Sequence, residues 1–137
     1  MRHDIATPLD PGATYQLHTT INDARTAAAL ADPGEALPPV FGTPFMIADM
    51  ERACAALLAP LLQAGEVSVG ARIEVSHSAP TPLGASVTAT ATFTERDGPL
   101  YWFDVQAEDA RGRIGKGRIA RAIVDQDTLL AKAGART

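Results

Sequence analysis

"TPFMIADMERACAALLAPLLQAG", residues 43–65, holds a run from Phe45 to Leu62 whose only charges are Asp49, Glu51 and Arg52. Thr43 suits an N-cap, Pro44 the first helical position and Gly65 the exit, so the spacing predicts one long helix. A helix apolar nearly all round is buried on most sides, in a core or in a membrane. The clustered charges and Pro60 argue against a membrane span. The expectation is a helix at the centre of a folded domain.

Beyond Gly65 the hydrophobic period changes to two and stays there. "SVGARIEVSHSA" (68–79), "ASVTATATFTE" (85–95), "LYWFDVQAED" (100–109) and "IGKGRIARAIVD" (114–125) read as four strands, with "RDGP" and "ARGR" as turns. In the first of these, Val69, Ala71, Ile73, Val75 and His77 fall on one face and Gly70, Arg72, Glu74 and Ser76 on the other. The second sets Val87, Ala89, Ala91 and Phe93 inward, and the third Tyr101, Phe103, Val105 and Ala107. Ahead of the helix, "GATYQLHTTI" (12–21) reads as a further strand. Residues 22–42 form a long connection with three prolines and two glycines, in which only "RTAAALA" looks briefly helical. So long a connection within one domain is commonly a functional lid. "TLLAKAGART" (128–137) reads as a short helix or a frayed end.

One antiparallel sheet with an apolar face must bury that face on something, and the long helix is the candidate. Gly115 and Gly117 permit strong curvature of the last strand. The expected fold is α+β, a five-stranded antiparallel sheet wrapped round one long central helix. This is the hotdog architecture, as a single domain over residues 1–137, and its open edges are usually closed by dimerisation.

Composition bounds the function. Hydrophobic residues make up 46% and charged residues 20%, as in ordinary folded domains. A net charge of −4 and a pI near 5.2 argue against a general nucleic-acid binder. "MRHDIATPLDPG" shows no apolar signal region, and Cys54 stands alone, so a reducing cytoplasm is expected. Cys54 reads as a small buried hydrophobe. Too few His and Cys side chains are present for a credible zinc site, so no metal is expected.

His77, in "EVSHSAPTPLG" (74–84), places a titratable ring on a core-directed face. Glu51 lies in the most apolar helix. Each has a structural explanation: a satisfied core or edge histidine for His77, a carboxylate paired with Arg52 or Arg121 for Glu51, and a helix cap for Thr43. Asp49, two residues from Glu51, is an interface residue or a rival carboxylate.

The segments "VFGTPFMIADMERACAALLAPLL", "SVGARIEVSHSAPTPLGASVTATA" and "IGKGRIARAIV" together resemble the hotdog acyl-CoA thioesterases, most closely the fluoroacetyl-CoA thioesterase type. The likeness runs from about Val40 to Val124. It implies a catalytic set of Thr43, Glu51 and His77, with Gly70 near the thioester carbonyl and Arg121 on the last strand. It implies substrate contacts at Phe41 and Leu37, although fluoroacetate-selective members carry an aromatic where Leu37 stands. General thioesterase activity on a small acyl-CoA follows, and fluoroacyl selectivity does not. Coenzyme A enters as part of the substrate, with no separate cofactor, and the partner is a second copy, as a homodimer or a dimer of dimers.

In this reading Glu51 orients His77, which activates Thr43 or a water. Arg111, Arg113, Lys116, Arg118 and Arg121 offer positive charge for the phosphates of coenzyme A, with a solvated hairpin as the plain explanation of Arg111 and Arg113 and an inward or interface place for Arg121. Thr43 and Glu51 are eight residues apart, about 12 Å along a regular helix. The site is therefore expected to be composite, with the two side chains from different subunits or bridged by substrate. A hotdog enoyl-thioester hydratase is disfavoured, since the Asp–His motif of such enzymes is missing. A non-catalytic dimer binding an acyl thioester or a small hydrophobic ligand is the alternative.

Overall fold

In the computed structural model, which describes residues 9–137, α1 (Thr43–Leu58) lies across the inner face of one antiparallel sheet. The strands are β1 (Thr14–Thr20), β2 (Glu66–His77), β3 (Ser86–Asp97), β4 (Leu100–Asp109) and β5 (Gly112–Asp125), in the order β1-β3-β4-β5-β2. This is the expected hotdog plan. A short α2 (Gln126–Gly134) follows β5, capped by the Asp125 side chain on the Thr128 amide. The first eight residues, which begin the stretch read for a signal region, lie outside the described residues.

The inward sets of β3 and β4 are as the alternation predicts: Val87, Ala89, Ala91, Phe93, Tyr101, Phe103, Val105 and Ala107 are all buried. They meet Met46, Met50, Ala53, Cys54 and Leu58, one stripe of α1 at helical spacing. The helix itself differs from expectation. It is buried along that stripe only, while Thr43, Pro44, Ala48 and Arg52 are exposed and Ile47, Glu51, Ala55 and Ala56 are half-buried. Its cap is Gly42, Thr43 is its first residue, and it ends at Leu58 before a 3-10 turn at Ala59–Leu61 containing Pro60.

The second difference lies in β2. Its pairing with β5 shifts register between Gly70 and Arg72, so Ala71 is an extra residue. Such a bulge reverses the faces on either side of it. Ile73, Val75 and His77 pair with Ile119, Gly117 and Gly115 and face inward as expected, but Gly70 pairs with Arg121 and faces inward too. Val69 therefore points outward. β2 is also an edge strand and is thinly covered by the helix, so Ile73 is 46% exposed on the core side of the sheet.

Gly115 and Gly117 carry the tight approach of β5 to its surroundings. A Cβ on Gly115 would stand 2.7 Å from Met46 Sδ, and one on Gly117 would overlap the Glu74 backbone carbonyl. Backbone gives way less readily than a flexible side chain. Gly117→Ala is expected to cost about 3 kcal/mol, read as a lower urea midpoint at unchanged slope.

Candidate active site

Thr43 and His77 come together at one end of α1. Thr43 Oγ1 and His77 Nδ1 are 2.7 Å apart. Because Gly42 provides the cap, the Thr43 hydroxyl serves the histidine and makes no capping bond within its own helix. His77 is the last residue of β2, and the following turn is held down by Ser78 and Ala79 amides on the Ile114 carbonyl, at 2.7 and 3.3 Å. Phe41 is buried and meets the imidazole edge-on, with ring centroids 6.4 Å apart. Together with Ala27, Val40 and Pro80, these three residues line a pocket of about 300 Å³.

Burial lowers the His77 pKa below its ordinary 6.5, against a smaller opposing effect of the Ala79 backbone. The ring is thus neutral near pH 7, the form that accepts a proton. Its Nε2 is buried and meets no hydrogen-bond partner among the described residues. A neutral imidazole against a hydroxyl, beside the positive end of a helix, is suited to proton abstraction next to a developing oxyanion.

Glu51 is not at His77. Its Oε2 accepts from Arg121 Nη1 at 2.9 Å, and Arg121 also donates to Ser68, from Nε to Oγ at 3.2 Å and from Nη2 to the carbonyl at 2.8 Å. Gly70 lies directly under this pair, and a Cβ there would strike the Glu51 carboxylate. His77 pairs with Gly115 and Gly70 with Arg121, so six residues of β5, roughly 20 Å of strand, separate the two clusters. Within one chain, then, Glu51 does not orient His77. The expectation that Thr43 and Glu51 stay apart in a single chain holds.

Gly70→Ala therefore makes a sharp probe. The neighbour that must move is the far end of a side chain, so the fold should survive with a Tm a few degrees lower. With Glu51 in the catalytic set that the resemblance implies, its displaced carboxylate is expected to lower kcat/KM by about tenfold or more, checked by steady-state kinetics beside a melting curve.

Other sequence expectations fall out differently. Asp49, read as an interface residue or a rival carboxylate, is buried within its own chain, accepts from Thr19 Oγ1 at 3.2 Å and is ion-paired with Arg25. Arg25 went unnoticed in the sequence because a lone arginine in a loop-like stretch carries no periodic signal. Cys54 is buried as expected, and its thiol is pushed up to about 12, chiefly by burial. Leu37 is 43% exposed and does not line the Thr43–His77 pocket. Arg118 lies on the outer sheet face, its guanidinium 4.3 Å from the Trp102 ring centroid, while Arg121 is inward. Among the described residues, no three His, Cys, Asp or Glu side chains gather as for a metal ion.

Comparison with known proteins gives this arrangement a context. The family model described as FlK, fluoroacetyl-CoA-specific thioesterase, matches residues 21–127. A fluoroacetyl-CoA thioesterase of Streptantibioticus cattleyicolor is 40% identical over 100 residues, 73% of this chain and 72% of that protein. A point mutant of FlK, solved in complex with fluoroacetate and CoA, superposes with a TM-score of 0.82 at 35% identity, covering 88% of this chain and 98% of its own. A hot-dog-like protein from Thermanaerovibrio acidaminovorans gives 0.81 at 26% identity, over 99% and 97% of the two chains.

Proposed function

This chain belongs to the fluoroacetyl-CoA-specific thioesterase family and is an acyl-CoA thioesterase, and we propose that it hydrolyses a small acyl-CoA through Thr43, His77 and Glu51. The observation that carries the reading is the 2.7 Å contact between Thr43 Oγ1 and a half-buried, neutral His77 in the lining of a pocket of about 300 Å³. His77 takes a proton from Thr43 or from a water held against it. The oxygen so activated attacks the thioester carbonyl, the C–S bond breaks and the proton passes to the departing thiolate; attack by water yields the acid directly, whereas an acyl group left on Thr43 is released by a second water that His77 deprotonates, the proton returning to the Thr43 oxygen. Coenzyme A enters as part of the substrate, and the chemistry assigns no separate cofactor. Phe41 and Val40 bound the acyl end, and residues 22–42 act as its lid over a single domain.

The working unit is a homodimer whose site is shared. β2 is an edge, Ile73 lies open on the core side, and the flank of α1 that carries Glu51 offers half-buried Ile47 and Ala55. Two copies paired antiparallel along β2, about a two-fold axis at Glu74, would cover all of these. With Ala71 as the extra residue, Gly70 and His77 each stand three paired positions from that axis. Glu51 of the partner subunit, held by the partner's Arg121 above the partner's Gly70, would then stand beside His77. No helix of the described residues is long and apolar enough to cross a membrane. The lone cysteine fits the cytoplasm.

The test is thiol release from a panel of short, branched and aromatic acyl-CoAs. Turnover that is highest for small acyl groups supports the reading. A folded dimer that shifts its melting temperature with acyl-CoA but releases no thiol across the panel would favour the binding module.

A further inference from the structure

Arg25, in the 3-10 turn Asp23–Arg25, reaches across to α1 and donates from Nη2 to Asp49 Oδ2, a contact with a buried carboxylate. The other carboxylate oxygen, Oδ1, is buried without a hydrogen bond and lies 3.8 Å from Arg52 Nη1; the Nε of Arg25 is likewise buried and unpartnered. The Arg25 guanidinium stands 5.7 Å from the ring centroid of Phe41 and 5.9 Å from that of Phe45. Its carbonyl accepts from the Gly42 amide at 3.0 Å, and the next turn is tied down by Ala27 N to Val40 O at 2.8 Å.

The contacts with Val40, Phe41 and Gly42 fall on the segment that leads into α1. Phe41 leans on His77, Gly42 caps α1, and Thr43 reaches His77 Nδ1. An ion pair with two unmet polar atoms is a poor way merely to fasten a loop, since an apolar contact of the same volume commonly does as well or better. What the pair supplies beyond fastening is direction: a planar guanidinium fixed at one end by Asp49 and held within cation–π range of two aromatic rings.

We propose that Arg25 and Asp49 form a positioning pair that holds Phe41 and the start of α1 in register with His77, so that the Thr43 hydroxyl keeps its reactive distance. This rests on the thioesterase reading above. A misplacement of about 1 Å from a change away from the chemistry can cost roughly 10²-fold in rate.

The test compares Arg25→Met, Arg25→Lys and Asp49→Asn by steady-state kinetics at 25 °C, melting temperature and the His77 ring resonances in NMR. The expected result is kcat reduced by about ten- to a hundredfold in Arg25→Met, KM changed less than about threefold, and part of the loss restored in Arg25→Lys. His77 ring signals should move in step as the ring current of Phe41 is lost. Asp49→Asn buries an unpaired guanidinium and can fail to fold; the two Arg25 variants, changed at a partly exposed side chain, then decide. A lower Tm with kcat and His77 signals unchanged, or a rise in KM alone, overturns the proposal. An inactive wild type would sink the thioesterase reading instead, and the His77 signals of the variants would still decide whether the pair positions the ring.

Discussion

His77→Ala should lower kcat/KM for the preferred acyl-CoA by about two to four orders of magnitude while the protein stays folded, the range expected for loss of a positioned acid–base group. The prediction follows from where the ring sits. Nδ1 meets the Thr43 hydroxyl, and the rest of the imidazole is packed against Phe41 at the end of an edge strand. Removing it takes out the proton acceptor and leaves the core stripe of α1 untouched. The pH profile supplies the second reading. Burial favours the neutral ring and so lowers its pKa below 6.5. Activity that needs the neutral ring is present above that lowered pKa and is lost as the pH falls through it. The acid limb of kcat/KM should therefore lie below pH 6.5 in the wild type and be absent from the residual activity of His77→Ala. A mutant that keeps more than about a tenth of wild-type activity would return His77 to a packing role.

The fold was legible in the sequence because two periods do nearly all the work. An apolar helix followed by four segments of period two leaves few ways to bury one face of a sheet, and the inward sets of β3 and β4 can be read residue by residue. The bulge at Ala71 was not legible. An inserted residue leaves the alternation of Val69, Ala71, Ile73 and Val75 intact on paper while reversing which side of the sheet Gly70 and Val69 face. The open flank of α1 was hidden for a related reason: a helix apolar all round reads alike whether its second side meets its own sheet or another subunit. At the site, the Thr43 hydroxyl was ambiguous because capping and serving a histidine use the same atom, and only the position of Gly42 separates them. The pairing of Arg25 with Asp49 gave no signal, since it depends on how a loop crosses the helix.

A mixture of two inactive variants should regain activity if the site is shared. Thr43→Ala and Glu51→Gln are each expected to be strongly impaired as homodimers. Co-expressed in equal amounts, they form mixed dimers in half of the population by random pairing. In a mixed dimer, one site receives Thr43 and His77 from the Glu51→Gln chain and an intact Glu51 from the Thr43→Ala chain. The other site carries both lesions. The mixture should thus reach about a quarter of wild-type activity, one intact site in four across a two-fold symmetric population. The reason is geometric. Glu51 is held by Arg121 over Gly70, roughly 20 Å of strand from the residue opposite His77, and no side-chain rotation spans that gap within one chain. The control is the pair Thr43→Ala with His77→Ala. Both lesions fall in the same half of the site, so every site in a mixed dimer keeps one of them, and no activity should return. No recovery in the first mixture, or as much in the control, would overturn the shared site, and the bond of Glu51 to Arg121 would then be the whole of its role.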